Sequence, residues 1–428
     1  MAETKIVVLD DDPTGIQTVH DIDVLMKFDE NELIKMMQDP SGLVYLSTNS
    51  RSLMPEETKQ LHRQIISNLV KASEVTRRDF LVISRGDSTL RGHYPLESEV
   101  IKEELMKSKK SLKGEVLCPY LDGIRKTECD IHYVLSNQTW IPCAETEFAK
   151  DATFSYCSSD LKDYVCEKYG KQMPCVSIGL DLLDGTHQKE ILRTLEEAID
   201  GSKVIVNATS MEHLKAFTEA LKPVQNQYQY RTAASFVKAL ACVADQPYIE
   251  MKDLCDDSNA GGLILAGSHV QKTTEQIECL MQTNLVEVFV LDVSKEIESQ
   301  LNELAHKTDA LLKQGKNVLI MTSRQRIVFD GDAFEQLSAS RRISEQFVSI
   351  LHRLKVRPSF LISKGGITSF DVLKKGLNVS SARVLGQVSI NIPVVQLREE
   401  SRFPGMNVII FPGNVGKTET LKELIEKI

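Results

Sequence analysis

Short apolar runs alternate with longer amphipathic segments in the first half of the chain, and this alternation predicts its secondary structure. The apolar runs are typical of strands and lie at Ile6–Leu9, Leu43–Leu46, Phe80–Ser84, Val116–Cys118, Cys175–Ile178 and Val204–Asn207. The segments between them have apolar residues at helical spacing and lie at Glu56–Ala72, Leu96–Lys107, Gln188–Ile199 and Met211–Leu221. The turn-rich stretch His132–Phe154 departs from this pattern and predicts an inserted hairpin region. Strands that alternate with helices predict a parallel sheet with helices on both faces.

A second alternating series follows a helix-like segment at Ala233–Ala244 and an acidic stretch, 245–260, that has no periodicity. Its expected strands are Leu263–Ala266, Val288–Leu291, Val318–Met321, Phe360–Ile362, Val384–Val388 and Val408–Phe411. Its expected helices are Thr273–Thr283, Ser294–Lys313, Ala339–Leu354, Ser369–Lys375 and Thr418–Ile428. We therefore predict an α/β protein with an N-terminal domain at 1–244, a linker at 245–260 and a C-terminal domain at 261–428. Each domain should hold a mainly parallel sheet flanked by helices, with the active site in the interdomain cleft.

Composition and charge narrow the classes of function. The chain has 428 residues, and its 51 Lys+Arg against 60 Asp+Glu give a net charge of −9, which argues against general nucleic-acid binding. The longest apolar runs are far shorter than the ~20 residues of a membrane span, and no secretory signal precedes the first strand. Nine cysteines are scattered without a Cys-x-x-Cys pair, and the histidines are dispersed. We expect a cytoplasmic protein with reduced thiols, without a transition metal, and with neither nucleic acid nor a membrane as partner.

The residues after the first strand are the first candidates for chemistry, because ligands of open α/β sheets gather at the carboxyl ends of strands. Asp10, Asp11 and Asp12 follow one another there, ahead of Pro13-Thr14-Gly15. Three adjacent carboxylates repel one another and favour a cation or a proton-accepting role. The alternative is an aspartate-rich turn in which Asp12 caps the following segment.

The second and third strand ends add hydroxyls and arginines. The stretch Ser47–Arg51 ends in a cation, and Ser84–His93 contains Arg85 and Arg91 among glycines and hydroxyl residues. An arginine fork matches a planar oxyanion such as a carboxylate or phosphate. The alternative is a solvated loop in which Arg91 pairs with a nearby glutamate. Three such strand ends in one domain predict an anionic, polyol-like ligand.

Three glycine-containing loops join strands to helices in the C-terminal domain. They lie at Leu265–Ser268, Ser363–Ser369 and Phe411–Thr418. Glycines let the backbone approach a phosphate closely, so three such loops predict a nucleotide-phosphate site, although each alone is more often a tight turn. The last loop ends in Gly-Lys-Thr but has Phe411 where a Walker loop needs glycine, which excludes a P-loop NTPase.

A haloacid-dehalogenase-type phosphatase is the competing interpretation. Asp10-x-Asp12-x-Thr14 after the first strand matches the first motif of that superfamily, and Ser47 or Thr48 could supply the second. Such enzymes use the first aspartate as nucleophile and the second as acid/base. They also need a downstream lysine and a metal-binding acidic pair, which is not evident here. This interpretation would leave the C-terminal glycine loops without a role.

The loops of the N-terminal domain resemble those of the four-carbon acid sugar kinase family, formerly a domain of unknown function. Asp11–Gly15 is similar to the family's Ala-Asp-Asp-Leu-Thr-Gly, with Pro13 in place of leucine. Thr48–Arg51 is similar to its Asn-Thr-x-Ser-Arg-like stretch. Arg85–Gly92 matches Lys-x-Asp-Ser-Thr-Leu-Arg-Gly, with arginine in place of lysine.

The C-terminal loops resemble the nucleotide loops of the same family. The matching stretches are Gly267-Ser268, Gly365–Ser369 and Gly413–Gly416. Ile367 replaces a residue that is usually acidic or polar, and Pro412 stands where serine is common. The resemblance covers nearly the whole chain, with its motifs in the family order.

The resemblance implies an N-terminal domain that binds a sugar acid and a C-terminal domain that binds ATP. The implied reaction is direct phosphoryl transfer, with Mg²⁺ across the phosphates, to a hydroxyl of a four-carbon acid such as threonate or erythronate. Asp12, or Asp11, would accept the proton of the attacking hydroxyl. The residues implied to bind the sugar acid are Arg51, Arg85, Asp87, Ser88 and Arg91. Those implied to bind ATP are Ser268, Gly365, Gly366, Ile367, Thr368 and Gly413.

Four further points stay open from the sequence alone. Because of Ile367, a divergent non-catalytic protein that binds a sugar acid or a nucleotide is an alternative to the kinase. The sequence leaves open which hydroxyl is phosphorylated, which stereoisomer is accepted, and whether the protein forms a homodimer.

Overall fold

The chain forms two compact units, and neither is one continuous stretch of sequence. The computed structural model describes residues 4–108, 110–136, 138–256, 258–267, 270–291, 297–323 and 333–428, without the side chains of 297, 299 and 333–341. The first unit comprises Met1–Gly15 and Lys27–Ala244, and the second comprises Ile16–Met26 and Asp245–Ile428. The segment Ile16–Met26 therefore leaves the first unit early in the chain and belongs to the second.

Strands and helices alternate through both units. The strands are β1 (Lys5–Asp10), β2 (Ile22–Leu25), β3 (Leu43–Ser47), β4 (Phe80–Arg85), β5 (Gly114–Cys118), β6 (Arg125–Glu128), β7 (Ile131–Ser136), β8 (Thr139–Pro142), β9 (Cys175–Ile178), β10 (Ser202–Val206), β11 (Tyr228–Thr232), β12 (Leu263–Ala266), β13 (Glu287–Leu291), β14 (Val318–Thr322), β15 (Leu361–Lys364), β16 (Ser381–Ser389), β17 (Ile392–Leu397) and β18 (Asn407–Phe411). The α-helices are α1 (Glu30–Gln38), α2 (Pro55–Thr76), α3 (Leu96–Lys107), α4 (Leu161–Tyr169), α5 (Gln188–Glu197), α6 (Met211–Leu221), α7 (Ala234–Leu240), α8 (Gln271–Met281), α9 (Ile297–Leu312), α10 (Ala333–Arg353), α11 (Gly366–Asp371) and α12 (Thr420–Glu426). A π-helical turn, Val372–Gly376, directly follows α11.

Local signals in the sequence explain where several helices of the first unit begin and end. The Asp160 carboxylate accepts a hydrogen bond from the backbone N–H of Lys162 at 2.8 Å and so caps the start of α4. The same helix ends at Gly170, whose φ of +63° is the left-handed conformation that glycine adopts without strain. The hydroxyl of Ser210 caps α6 in the same way as Asp160 caps α4.

The main sheet of the first unit is entirely parallel, in the order β3-β1-β4-β11-β5-β10-β9. Its strands β3, β4, β5, β10 and β11 are buried at every position, as expected for a sheet that is covered on both faces. A smaller antiparallel sheet, β6-β7-β8, occupies the region where an inserted hairpin was predicted. The α/β prediction is thus confirmed for this unit.

The second unit has a mixed sheet in the order β13-β14-β12-β15-β18-β17-β16-β2. The first five strands in this order, β13, β14, β12, β15 and β18, are parallel. The remaining strands, β17, β16 and β2, continue the sheet in antiparallel pairs. Residues 245–260, expected as a linker, contain a 3₁₀ turn at Met251–Leu254. Met251 and Leu254 are buried in the apolar core of this unit together with Phe360. The prediction of a mainly parallel α/β domain is confirmed, and the antiparallel strands are added to it.

Gly262, directly before β12, lies against a buried aromatic ring. A Cβ at this position would lie 2.0 Å from Cζ of Phe360. We expect Gly262→Ala to lower the free energy of unfolding by roughly 1–3 kcal/mol, the usual cost of overpacking a core, as measured by urea denaturation. Gly42→Ala is the matched control, because nothing lies within 4 Å of a Cβ there. Equal stability of the two variants would contradict this packing.

Candidate functional site

The parallel strands of the first unit end at one level, which brings the following loops together. Asp10, at the end of β1, is in register with Ser47 of β3 and with Arg85 of β4. Arg85 is in turn in register with Thr232 of β11. The aspartates after β1 and the arginine-containing loops after β3 and β4 therefore lie at the same edge of this sheet.

Asp11 is the centre of a buried ion-pair cluster. Arg51 donates to both of its carboxylate oxygens, from Nη2 to Oδ1 at 2.6 Å and from Nε to Oδ2 at 3.1 Å. Nη1 of Arg85 lies 3.4 Å from Oδ1 of Asp11 and 3.1 Å from Oδ1 of Asp10. The two arginines therefore pair with carboxyl groups of the chain itself, which was not apparent from the sequence.

Asp10 is completely buried and is held in its neutral form. Burial raises the pKa of Asp10 to about 8, although the nearby Arg85 acts in the opposite direction. Its Oδ2 has no hydrogen-bond partner among the described residues. A Cβ at Gly15 would lie 2.1 Å from Oδ1 of Asp10, so only glycine fits beside this carboxyl group. These features make Asp10 a poor nucleophile at neutral pH.

Asp12 is the most accessible of the three aspartates. Its side chain is 14% exposed, against 2% for Asp11. Oδ1 of Asp12 accepts hydrogen bonds from the backbone N–H of Thr14 at 2.9 Å and from its hydroxyl at 2.6 Å. Oδ2 lies 3.5 Å from Nη1 of Arg51. The capping turn considered as an alternative is therefore present, and it leaves Oδ2 as the oxygen that could accept a proton.

The loop after β4 contains a second ion pair. Nε of Arg91 donates to Oδ2 of Asp87 at 2.6 Å, and the hydroxyl of Thr89 donates to the same oxygen. Nη1 of Arg91 lies 3.8 Å from Oδ2 of Asp151. Burial alone would raise the pKa of Asp87, but Arg91 and then Arg51 hold it below its usual range. Asp87 is therefore ionised, and Arg91 has aspartate partners rather than the glutamate that was considered.

Arg231 and Glu97 belong to the same buried region but were not identified from the sequence. Nη1 of Arg231, in β11, donates to the Glu97 carboxylate and, at 2.8 Å, to Oγ of Ser84. Burial would raise the pKa of Glu97, but Arg231 in particular lowers it to about 2. A Cβ at Gly86 would lie 2.4 Å from Cζ of Arg231. The signal in the sequence is the position of Arg231 near a strand end, but β11 is not among the strands that the apolar pattern predicts.

Three adjacent strands of the second unit also end at one level. Ala266 of β12 is in register with Lys364 of β15, and Lys364 is in register with Phe411 of β18. The backbone N–H of Gly365 donates to the carbonyl of Phe411 at 2.9 Å. The glycine-containing loops that follow these strands therefore begin side by side.

The loop between β15 and α11 is fixed by its own hydrogen bonds. Gly365 has a φ of +112°, which side-chain-bearing residues rarely adopt. Oγ of Ser369 donates to the carbonyl of Ser363 at 3.0 Å and to that of Gly365 at 2.7 Å. A Cβ at Gly267 would lie 2.6 Å from Oγ1 of Thr368. The loops after β12 and β15 are thus in close contact, as a shared phosphate site requires.

The residues predicted to bind ATP divide into two groups. Gly365, Gly366, Ile367 and Thr368 lie in the loop and first turn after β15. Gly413 lies in the loop after β18, where its carbonyl accepts a hydrogen bond from the Thr273 hydroxyl of α8 at 2.9 Å. Ser268 lies outside the described residues.

The described part of the chain holds neither a cluster of metal-binding side chains nor a membrane-spanning helix. It contains no group of three or more His, Cys, Asp or Glu side chains arranged to hold a metal ion. None of its helices is both long enough and apolar enough to cross a bilayer. A kinase magnesium ion is usually held by the nucleotide phosphates and one or two carboxylates, so no such cluster is needed for it.

Comparison with known families identifies both units. Residues 6–240 match a family model described as a sugar-binding N-terminal domain, and residues 263–421 match one described as a nucleotide-binding C-terminal domain. The chain belongs to the four-carbon acid sugar kinase family. The resemblance drawn from the loop motifs is therefore confirmed. In this kinase-family chain, the ion-paired strand ends lie in the sugar-binding domain and the row of glycine loops in the nucleotide-binding domain.

Solved structures share the fold of this kinase-family chain. A protein from Salmonella typhimurium LT2, named as a proposed tRNA synthase, is 17% identical over 99% of this chain and 98% of its own, with a TM-score of 0.71. A Haemophilus influenzae protein of the DUF1537 family is 15% identical over 99% of both chains, with a TM-score of 0.67. At these identities the likeness concerns the fold alone. No curated protein matches the sequence.

Because its pKa is raised, Asp10 should make the free energy of unfolding decrease as pH rises. Between its ordinary pKa of 3.8 and the raised value of about 8, the folded chain holds a proton that the unfolded chain releases. This group therefore lowers stability as pH rises through that range, by up to about 1.4 kcal/mol per pH unit. Asp10→Asn removes the effect, so its stability relative to wild type should increase from pH 5 to pH 8 in urea denaturation. Parallel pH profiles would show that Asp10 is ionised in the folded chain.

Proposed function

We propose that the protein is an ATP-dependent kinase that phosphorylates a hydroxyl of a four-carbon sugar acid. The observation that carries this proposal is the presence of two sites of different chemistry in one chain. One is the cluster of acids and arginines in the sugar-binding domain, and the other is the row of glycine loops in the nucleotide-binding domain. A sugar site and a nucleotide site together support phosphoryl transfer, because that reaction depends mainly on positioning and charge stabilisation.

On the acid side, we propose that Asp87, Ser88 and Arg91 contact the sugar acid. They share the loop after β4, and the ionised Asp87 can accept hydrogen bonds from sugar hydroxyls. We propose that Arg51 and Arg85 also help to bind the sugar acid. They do so mainly by holding Asp11 and the other acids that they pair with in position. Their charges balance the aspartates and let the loops close around a polar molecule.

Asp12 is the proposed catalytic base. Both oxygens of Asp11 already accept hydrogen bonds from Arg51, so a proton on Asp11 would displace a charge-assisted contact. Asp12 has a less constrained Oδ2 and the greater exposure. A positioned base typically contributes 10²–10⁴-fold to the rate.

On the nucleotide side, we propose that ATP is bound by Gly365, Gly366, Ile367, Thr368 and Gly413, with Ser268 added from the sequence. The glycines allow backbone N–H groups to approach the phosphates. Mg²⁺, when bound, would neutralise charge on the β- and γ-phosphates. Ile367 can contribute only its backbone to a phosphate, which suffices for this kind of contact.

The two alternatives to the kinase, a phosphatase and a non-catalytic binding protein, require different properties of these residues. The phosphatase needs Asp10 as an exposed, ionised nucleophile, but Asp10 is buried and its pKa is raised to about 8. The glycine loops would also have no role in it. The non-catalytic alternative, a protein that binds without turnover, is separated from the kinase only by a measurement of activity.

A screen for ADP release tests the proposal directly. Purified protein with ATP and Mg²⁺ is incubated with threonate, erythronate and their oxo forms, and we expect ADP release only when one acid is present. Asp12→Asn should lower kcat by roughly 10²–10⁴-fold, while Asp10→Asn should have a much smaller effect. ATP binding without turnover of any acid would favour the non-catalytic alternative. A phosphoryl group trapped on Asp10 would establish the phosphatase.

A charge placed in the glycine loop tests the nucleotide site independently of the acid. Gly366→Asp adds bulk and negative charge where the phosphates are expected, so ATP affinity should fall by at least roughly tenfold in calorimetry. Asn378→Asp is the matched control, since it adds the same charge at an exposed turn of the same unit and should leave ATP affinity unchanged. Similar affinities in both variants would place the nucleotide elsewhere.

A further inference from the structure

Arg125, the first residue of β6, is a buried cation without a carboxylate partner. Its side chain is 7% exposed, and among the described residues no carboxylate oxygen lies within 4.0 Å of its guanidinium. Nη1 donates to the adjacent carbonyl of Ile124 at 2.6 Å, and Nε has no hydrogen-bond partner. A buried guanidinium with an unpaired Nε and no ion pair is only partly compensated for its lost hydration, which favours the binding of an anion.

The charge on Arg125 persists at neutral pH. Burial lowers the pKa of Arg125 to about 10, with Asp87 acting in the opposite direction and Arg91 in the same direction as burial. The charged groups that face Arg125 are therefore Asp87 and Arg91 from the loop after β4. Because Asp87 is already bound by Arg91, it attracts Arg125 from a distance without satisfying its donors.

Arg125 and Arg91 meet at one aromatic ring. The guanidinium carbon of Arg125 lies 5.7 Å from the centre of the Phe148 ring, and that of Arg91 lies 5.0 Å from the same centre. Two like charges gathered around one ring repel each other, and an anion bound between them offsets that repulsion. Arg91 is paired with Asp87 and Asp151. Of the two guanidinium groups, that of Arg125 is therefore the one with an unpaired N–H donor, at Nε.

The position of Arg125 relative to the proposed acid-binding loop is fixed by His132. Burial lowers the pKa of His132 to about 4, so the ring is neutral at physiological pH. Its Nε2 lies 2.8 Å from the carbonyl of Ser88 and must donate, which leaves Nδ1 to accept from the Thr127 hydroxyl at 3.0 Å. The β6–β7 hairpin that carries Arg125 is thereby attached to the loop that contains Asp87 and Ser88.

We propose that Arg125 determines specificity by binding the carboxylate of the sugar acid. The planar fork of a guanidinium matches a carboxylate, and Asp87 nearby can accept the hydroxyls of the same ligand. This inference rests on the proposed function, because it names the residue that distinguishes an acid from a neutral polyol in that substrate. Arg91, which also contacts the sugar acid in the proposed function, then holds Asp87 in place and is not the residue that binds the carboxylate.

The test compares Arg125→Met with two variants of neighbouring cations. Lys126→Met removes the next cation along β6, whose side chain points to the opposite face of the strand and pairs with Glu128. Arg91→Met removes the partner of Asp87. Binding of threonate, erythronate, the neutral alditols erythritol and threitol, and inorganic phosphate is measured by calorimetry, together with the melting temperature of each protein without ligand.

We expect Arg125→Met to lower affinity for the bound acid by roughly 10- to 150-fold and to leave ATP affinity unchanged. Its melting temperature without ligand should equal or exceed that of wild type, because an uncompensated buried charge is removed. Arg91→Met should melt at a lower temperature, and Lys126→Met should bind the acid as wild type does. Arg125→Lys keeps the charge but loses the fork, so it should recover only part of the affinity.

Three outcomes would overturn the inference, and a fourth would contradict only the kinase proposal. Wild-type acid affinity in Arg125→Met would overturn the inference while leaving the kinase proposal standing. Lower melting temperatures of both Arg125→Met and Arg125→Lys without ligand would show that Arg125 is structural. Phosphate binding that depends on Arg125, with no binding of either acid, would make this a phosphate site. Acid binding that depends on Arg125 without any ADP release would support the inference while contradicting the kinase.

Discussion

Charge balance at buried strand ends is the constraint on which the first unit depends. An isolated carboxylate that is removed from water loses several kcal/mol of hydration free energy, and the chain compensates for this loss in different ways. Asp10 retains a proton, and Asp11 is bound by Arg51 through two hydrogen bonds. Glu97 is paired with Arg231, on the other side of the same cluster. The loops can pack together because each buried acid is either protonated or paired with an arginine.

This balance also explains the glycines of the loops. Gly15 lies against the Asp10 carboxyl group, Gly86 against the Arg231 guanidinium, and Gly92 near both Arg231 and Asp11. At each of these positions a side chain would displace a charged group from its partner. These three glycines are therefore required by the packing of the buried acids and arginines, whereas Gly267, Gly365 and Gly413 of the second unit follow the ends of strands.

The sequence predicted the strands that consist of continuous apolar residues and the helices with clear periodicity. Helices α3 and α6 begin and end where they were expected. It missed β11, whose Gln229 and Arg231 are buried by long-range polar partners, and β17, which contains Pro393 beside a bulge. Both strands break the apolar pattern for reasons that depend on neighbours distant in the sequence.

For the candidate site, the sequence predicted the loops but could not predict their pairings. The loops that follow parallel strands lie at the same edge of the sheet. The grouping of Asp11, Arg51 and Arg85 therefore followed from the prediction of a parallel α/β sheet. That Arg51 binds Asp11, or that Arg125 has no carboxylate partner among the described residues, depends on side-chain geometry across the sheet. These pairings determine which arginine is available to a ligand, and only the structure reveals them.

The membership of β2 in the second unit has a consequence for how the chain is made. β2 is synthesised near the start of the chain, but its partner β16 follows only at Ser381–Ser389. At translation rates of about 5–20 residues per second, β2 waits roughly 20–70 s for that partner. During this interval the first unit can complete its own parallel sheet, while the edge of β2 that later pairs with β16 stays unpaired and could aggregate or be protected by a chaperone. Division of the gene at residue 245 would make that exposure permanent.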